Sequence, residues 1–568
     1  PGPPEDGPYP TLVEYSGYDL SEPTDTGFES NATTVAIGEL LGYATVAVNI
    51  RGSGCSGGAF DYFETIQGLD GYDVIETVAA QDWAANVGTT GVSYPGISQL
   101  FLASTQPPSL TAAAPMAVIS DHARDTVYPG GIYNTGFAVE WAEEREIDTR
   151  FPGGQAWVDE MVDSDHPAAE QCAQNVQLRG QNMPLRDRIE ANEYANELWA
   201  TRSPYDFADQ ITTNLFIVNS WQDEQTGGRA AALLDALDLD RDDRTVRFVG
   251  TNGTHIETMG PEVLTDLIEF LELHLAEHTP EIAERDTFLS GQFDQTAFRE
   301  LLLPVLYSDV LGDDVGADDV TLPEDRFAGQ PYEQALAAYE AEPPARILFE
   351  TGAGAGPDGF PYPAHSERFE FAQLPNLDDD FDASAHTRYL RADGSLTPDR
   401  PDSDEGASSY RYQPDADRRT YNFSSRPENN SDVWQLQPPY EWAQAPQAAS
   451  LAFETAPVDA DQALVGSAGV DLWIASEVDD TDIEVVLSEV RPDGTEMYLT
   501  SGLLRASKRE LEAESTALRP RPTFEADDAA ELDDGWNRVR IETFPFGQLV
   551  REGSQLRLTL EAPGGNRP

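Results

Sequence analysis

Through the first third of the chain, short apolar runs alternate with stretches whose apolar positions repeat at helical spacing. Residues 10–15 and 43–50 read as strands, and 34–41 as a helix between them. A glycine-rich loop at 52–58 follows. Val74, Ile75, Val78 and Ala79 make a helical stripe within 72–85. Residues 87–92 then form a short strand, and 97–105 restart a helix. From about 121 to 202 the pattern changes to helical pieces rich in Glu, Asp and Trp, broken by Pro and Gly, with no clear strand. Alternation resumes with strands at 214–219, 245–249 and 346–350, a helix at 228–237 and an amphipathic helix at 262–277. Beyond 358 strand-like pieces recur at 450–453, 470–475, 483–490, 497–504, 536–541 and 555–560, and Pro492-Asp493-Gly494 marks a turn. The expected fold is an α/β core with a parallel sheet, carried by residues 1–120 and 206–358. A helical insertion fills 121–205, and an all-β sandwich or jelly roll fills 359–568.

Length supports that division, because 568 residues exceed what one hydrophobic core holds. No run of about 18 apolar residues occurs, so no membrane span is expected. The sequence opens on Pro1 without a leader and closes on loop-like residues, as expected of a processed chain or a fragment.

Charge changes the picture more. Lys and Arg number 35 against 102 Asp and Glu, a net charge of −67, and Lys508 is the one lysine. The acids are spread along the chain, and aromatic and apolar content is too high for a disordered acidic protein. A folded chain so charged repels itself in dilute buffer. At about 1 M salt the screening length falls to about 3 Å and the repulsion largely vanishes. Adaptation to a salty environment is therefore the plain reading. Nucleic acid is not an expected partner, since no basic patch exists. The chain is expected to be soluble, cytoplasmic or secreted, and a homo-oligomer stays open. Cys55 and Cys172 could form one disulfide or be two buried thiols.

Candidate chemistry begins at Gly91-Val92-Ser93-Tyr94-Pro95-Gly96, between a strand and a helix. A nucleophilic serine belongs on such a tight turn, where small neighbours prevent collisions, although Pro95 stands where the common pattern has its second glycine. Acyl transfer also needs a base and an orienting acid. Asp223 follows the strand at 214–219 and His255 the strand at 245–249, which gives the chain order Ser, Asp, His. Glu224 competes with Asp223 for the acid role. Among the other histidines, His122 and His166 fall before the acid, and His365 and His386 lie in or near the β region. His274 and His278, four apart, read as solvated helix residues. No metal site is expected, because the spacing lacks a third ligand. Gly352 to Gly356 lacks the helix a dinucleotide needs, and the acidic runs 378–380 and 402–404 lack calcium-loop spacing, so no cofactor is expected.

These motifs together resemble the X-prolyl dipeptidyl-peptidase and cocaine-esterase family of α/β-hydrolases. Gly-Val-Ser-Tyr-Pro-Gly at 91–96, Asn49-Ile50-Arg51-Gly52 with Ser56-Gly57-Gly58, Gln81-Asp82-Trp83 with Val87-Gly88, and Trp221-Gln222-Asp223 all agree with it. The His255 loop departs, lacking the family's usual Trp-Ser before the histidine. The resemblance implies a hydrolase core, a helical cap and a C-terminal jelly roll. It implies an oxyanion hole made by the hydroxyl of Tyr18, in the pair Tyr18-Asp19, and the backbone N–H of Tyr94. Tyr15 is a neighbour that could be confused with Tyr18. Trp221, Phe137 and Trp141 are the expected substrate contacts. The expected activity is hydrolysis of an ester or amide by Ser93, His255 and Asp223. An X-prolyl dipeptidyl-peptidase is the alternative, and it would need a carboxylate to grip a free amino terminus. An inactive hydrolase-fold binding protein and a metal hydrolase are readings from other classes.

Overall fold

The computed structural model describes residues 7–18, 20–24, 27–30, 37–38, 41–239, 244–253, 255–280, 326–350, 365–371, 385–401, 406–414 and 446–563. Asp19, the glycine run at 352–356, the two acidic runs, most of the 34–41 helix and the boundary at 358 lie outside these residues.

The first strand is buried on both faces, as a strand of a covered parallel sheet must be. In β1 (Tyr9–Ser16) six consecutive residues from Thr11 are buried. With β2 (Ala44–Asn49), β3 (Ala84–Val92), β4 (Leu110–Met116), β5 (Asn214–Ser220), β6 (Val246–Thr251), β7 (Ala345–Glu350) and β8 (His365–Phe371) it forms one eight-stranded sheet. The order is β8-β7-β6-β5-β4-β3-β1-β2, with β8 antiparallel and the other seven parallel.

The two-residue period of a strand sends neighbours to opposite faces. Val13, Ile217 and Phe248 enter one hydrophobic core, with Ile75 of α1 (Thr65–Ala79) and Phe101 of α2 (Tyr94–Ser104). Leu12, Phe216 and Val249 enter the other, with Leu264 and Phe270 of α7 (Pro261–Leu271) and Tyr339 of α8 (Tyr332–Glu340). The chain steps from β1 outward to β2 and returns past β1 to β3. The strand order therefore reverses between β1 and β3, and in open α/β sheets ligands bind at the carboxyl ends of such a pair.

Between β4 and β5 the described residues hold helices and turns only, including α3 (Phe137–Asp148), α4 (Ala156–Val162), α5 (Ala169–Asn175) and α6 (Leu185–Glu190). Cys55 and Cys172 are joined in a disulfide that ties this insertion to the glycine-rich loop. Arg179 adds hydrogen bonds to the carbonyls of Gly54 and Ser56, at 2.7 and 3.0 Å. Among the described residues, the C-terminal region is built of β strands with two single helical turns, at Ala506–Lys508 and Ala526–Asp528. Strands β9 (Ser450–Glu454), β12 (Asp482–Val490), β13 (Glu496–Arg505) and β16 (Gln555–Glu561) form an antiparallel sheet in the order β9-β16-β12-β13. Two further pairs join β10 (Gln462–Gly466) to β15 (Phe546–Val550) and β11 (Gly469–Ile474) to β14 (Asn537–Glu542). Phe453, Leu472, Val485, Leu504 and Ile541 fill their core.

Several expectations need correction. The helix expected at 72–85 runs from Thr65 to Ala79. Gly68 and Gly71 lie inside it because α2 leaves no room for a side chain: a Cβ would come within 2.8 Å of the Phe101 carbonyl and 2.6 Å of Leu102. The helix at 228–237 shrinks to single turns at Ala230–Ala232 and Leu233–Ala236. The helix at 262–277 is not a one-sided amphipathic element. Asp266, Glu269 and Glu272 are buried too, paired with Arg346, Arg326 and the Tyr43 hydroxyl. His274 is not solvated: it lies between Phe270 and Tyr339, and burial pushes its imidazole down to about 4. The strands β10 and β15 were not anticipated. Gly547 in β15 shows why, since its missing side chain admits Ile347 and Trp221 of the core, a packing demand invisible in local pattern.

Candidate active site

Ser93 follows β3 and opens α2, with φ 68° and ψ −129°. That left-handed backbone is costly for a residue with a Cβ and persists only where the surroundings enforce it. The enforcement is visible. Ser93 N–H donates to the Met116 carbonyl at 2.9 Å, locking the turn to β4. A Cβ on Gly91 would stand 2.5 Å from Pro95, and one on Gly96 would stand 2.5 Å from the Met116 carbonyl. Tyr94 is the first residue of α2, so its N–H has no acceptor within the helix.

Asp223 lies just past β5 and His255 just past β6, so both leave the same carboxyl edge of the sheet as Ser93. Asp223 Oδ1 accepts the N–H groups of Gln225 and Thr226, at 2.8 and 2.7 Å. Its Oδ2 accepts the Thr226 hydroxyl at 2.6 Å and contacts His255 Nδ1 at 2.8 Å. Burial alone would raise the Asp223 carboxyl. The His255 ring and the Thr226 hydrogen bonds outweigh it and hold the carboxyl below its usual range. Burial likewise opposes charge on His255, and the Asp223 carboxylate overcomes it and raises the imidazole. Glu224 does not take the acid position. It accepts the His255 backbone N–H at 3.0 Å, and burial with the Asp223 charge pushes it up to about 7. The other ring nitrogen, His255 Nε2, is buried and has no hydrogen-bond partner among the described residues.

Tyr18 lies two residues past β1, beside β3, with its hydroxyl in hydrogen-bonding reach of the Ser93 side chain. The same hydroxyl accepts the Trp141 indole N–H at 3.0 Å. The Arg145 guanidinium stacks on its ring at 4.9 Å. Burial raises the phenol, so it stays neutral and can donate. Tyr15 is not an alternative: its hydroxyl bonds the Gln67 carbonyl at 3.0 Å.

Ser93 and Tyr18 line a cavity of about 330 Å³, part of it open to solvent, completed by Phe63, Ile119, His122, Thr126, Phe137, Trp141, Gln225 and Thr226, among others. Phe137 and Trp141 come from α3 and line the same cavity as Ser93. Trp221 does not line this cavity. Its indole packs on Gly250 and Gly547, between core and β region. His122 had no sequence signal. It is buried, bonds the Tyr62 hydroxyl at 3.1 Å, and burial beside Arg202 pushes it down to about 3, so it is neutral. Thr226 was not singled out either, although an aspartate a few residues before a hydroxyl residue is a local turn signal that could have pointed to it. No cluster of metal-ligating side chains exists among the described residues, and no helix there is long and apolar enough to cross a membrane.

Two family models match the chain. Residues 1–257 match the X-Pro dipeptidyl-peptidase (S15 family) and residues 337–564 its C-terminal non-catalytic domain. A Mycobacterium bovis protein provisionally named a serine esterase is 25% identical over 552 residues, covering 91% of this chain and 78% of its own. A Mycobacterium tuberculosis protein of the same provisional name matches equally. Among solved structures, a CocE/NonD family hydrolase from Staphylococcus aureus superposes with a TM-score of 0.60 at 18% identity, over 98% of this chain and 81% of that one. An α-amino acid ester hydrolase gives 0.59 at 15% identity, over 99% and 86%. Both support the fold.

Proposed function

Since the chain belongs to the X-prolyl dipeptidyl-peptidase and cocaine-esterase family of α/β-hydrolases and is a serine hydrolase of ester or amide bonds, we propose that Ser93 is its nucleophile, His255 its base and Asp223 the acid that orients the base. One observation carries the assignment: a buried imidazole tied to Asp223 through Nδ1, with Nε2 unpartnered among the described residues, on the sheet edge that also carries Ser93. Ser93 attacks the acyl carbonyl while Nε2 takes its proton. The Tyr18 hydroxyl and the Tyr94 N–H stabilise the oxyanion. The His255 proton passes to the leaving group, and water activated by the same ring releases the acyl group.

The cavity favours a neutral acyl group. Its walls are aromatic and aliphatic, and besides the Ser93 and Tyr18 hydroxyls its polar side chains are Thr126, Gln225, Thr226 and neutral His122. The family models favour a second reading, release of X-prolyl dipeptides, but that needs a carboxylate for the free amino terminus. No Asp or Glu is among the described residues lining the cavity. The segment 121–205 acts in this reading as a cap that selects substrate, and the strands from Ser450 onward act as a supporting β domain, since β8 belongs to the core sheet. The dispersed acids fit concentrated salt, so assays belong there.

The test compares p-nitrophenyl esters with Ala-Pro-nitroanilide in high salt, for the wild type and Ser93→Ala. The expected result is ester hydrolysis well above anilide hydrolysis, abolished by the substitution with the fold intact. Activity retained by the variant would end the serine assignment, and preferred cleavage of the anilide would favour the dipeptidase. A wild type without hydrolysis would revive the binding-protein reading.

A further inference from the structure

Directly behind the active site, at the seam between core and β domain, lies a second cavity of about 690 Å³, part of it open to solvent. Five arginines line it: Arg124, Arg229, Arg519, Arg521 and Arg540, against three carboxylates, Asp121, Asp125 and Glu542. In a chain with 35 basic and 102 acidic residues, so many guanidinium groups around one space run against the composition.

Interdomain ion pairing explains only part of the cluster. Glu512 is shared by Arg124 at 2.7 Å and Arg521 at 3.3 Å. Glu542 is shared by Arg229 at 2.8 Å and Arg519 at 3.6 Å. Arg124 also meets Asp121, and Arg519 meets Asp235. Arg229 stands 3.6 Å from Asp125, yet its buried Nε finds no hydrogen-bond acceptor. Burial pushes Asp125 up to about 7, which weakens its claim on that guanidinium. Arg540 lines the cavity from β14, and its side chain has no ion pair or hydrogen bond among the described residues. A buried N–H without an acceptor is costly, and guanidinium forks match oxyanions with paired hydrogen bonds.

We infer that this seam is a binding site for a small oxyanion of the phosphate or carboxylate class, held by Arg540 and Arg229 with the neighbouring guanidinium groups. The site is separate from the catalytic cavity but shares two segments with it. Ile119, His122 and Thr126 face Ser93, whereas Ser120, Asp121, Arg124 and Asp125 face the arginines. Gln225 and Thr226, beside Asp223, face Ser93, whereas Arg229 faces the seam.

Calorimetric titration of the full chain with inorganic phosphate and with citrate tests this, using chloride at matched ionic strength as reference. The expected result is saturable binding of one or both anions at one site per chain, and the tighter of the two identifies the class. Arg540→Gln removes a guanidinium that supports no other group, so ester hydrolysis and the far-ultraviolet spectrum should not change. Affinity should fall at least about tenfold with the lost charge-assisted contacts. Should that variant fail to fold, Arg521→Lys keeps the charge, removes the fork and should also weaken binding. No saturable binding beyond chloride, or unchanged affinity in the folded variant, would overturn the site.

Discussion

Asp266 and Arg346 form a buried ion pair on one face of the sheet, at 2.9 Å, and Asp223 and His255 form another at its carboxyl edge, at 2.8 Å. All four side chains are almost wholly buried. The first pair joins α7 to β7, uses a cation that never titrates, and shares Arg346 with Glu342. The second uses a cation that titrates, and one of its nitrogens, Nε2, has no partner among the described residues. Burial and charge are thus common to both, and they do not mark a catalytic site by themselves. The open valence on a titratable group does, together with its place on the same sheet edge as a strained serine.

The comparison can be broken from either side. Asp223→Asn carries the largest expected effect. It keeps the shape but loses the charge that orients and supports the imidazole, so kcat should fall about 10⁴-fold. The pH profile should move as well. His255 works as a base when neutral, and Asp223 raises it, so wild-type activity climbs as pH rises through a value above the ordinary histidine range. In the variant burial, the largest influence on the ring, is opposed only by the Glu224 charge, and the residual limb should move to lower pH. An unmoved limb would detach the pair from catalysis.

Asp266→Ala comes next. It leaves the buried Arg346 guanidinium with Glu342 as its remaining carboxylate and should cost about 3–5 kcal/mol of stability in a urea melt. kcat per folded molecule should stay near wild type. A specific loss of kcat would dissolve the contrast between the two pairs. Tyr18→Phe is the smallest of the three. Removing one oxyanion donor should lower kcat about 10²–10³-fold with little change in KM, read by steady-state ester kinetics. An unchanged kcat would leave the Tyr18 hydroxyl to packing, through its bond to Trp141.

Much of this was legible in the sequence because the relevant rules are local. The apolar strands of the core, the turn at Ser93 and the order Ser, Asp, His need only a few residues each to be recognised. What escaped depends on distant partners. Gly68 and Gly71 are helical because α2 presses on them, and Gly547 is a strand residue because Trp221 fills its missing side chain. The buried acids of α7 look solvent-facing until Arg346 and Arg326 arrive from elsewhere. His122 enters the cavity wall through packing against Tyr62 and Phe63, which no spacing announces. Trp221, adjacent in sequence to the acid loop, went to the domain seam instead.

The central claim is that the hydroxyl at position 93 is the activated group. Treating the folded chain in high salt with a fluorophosphonate, followed by peptide mass mapping, tests it most directly. The account predicts one stoichiometric adduct, on the peptide carrying Gly91 to Gly96, at Ser93, and its loss in Asp223→Asn on the same timescale. An adduct on any other serine, or none on a folded chain that still cleaves esters, would contradict it.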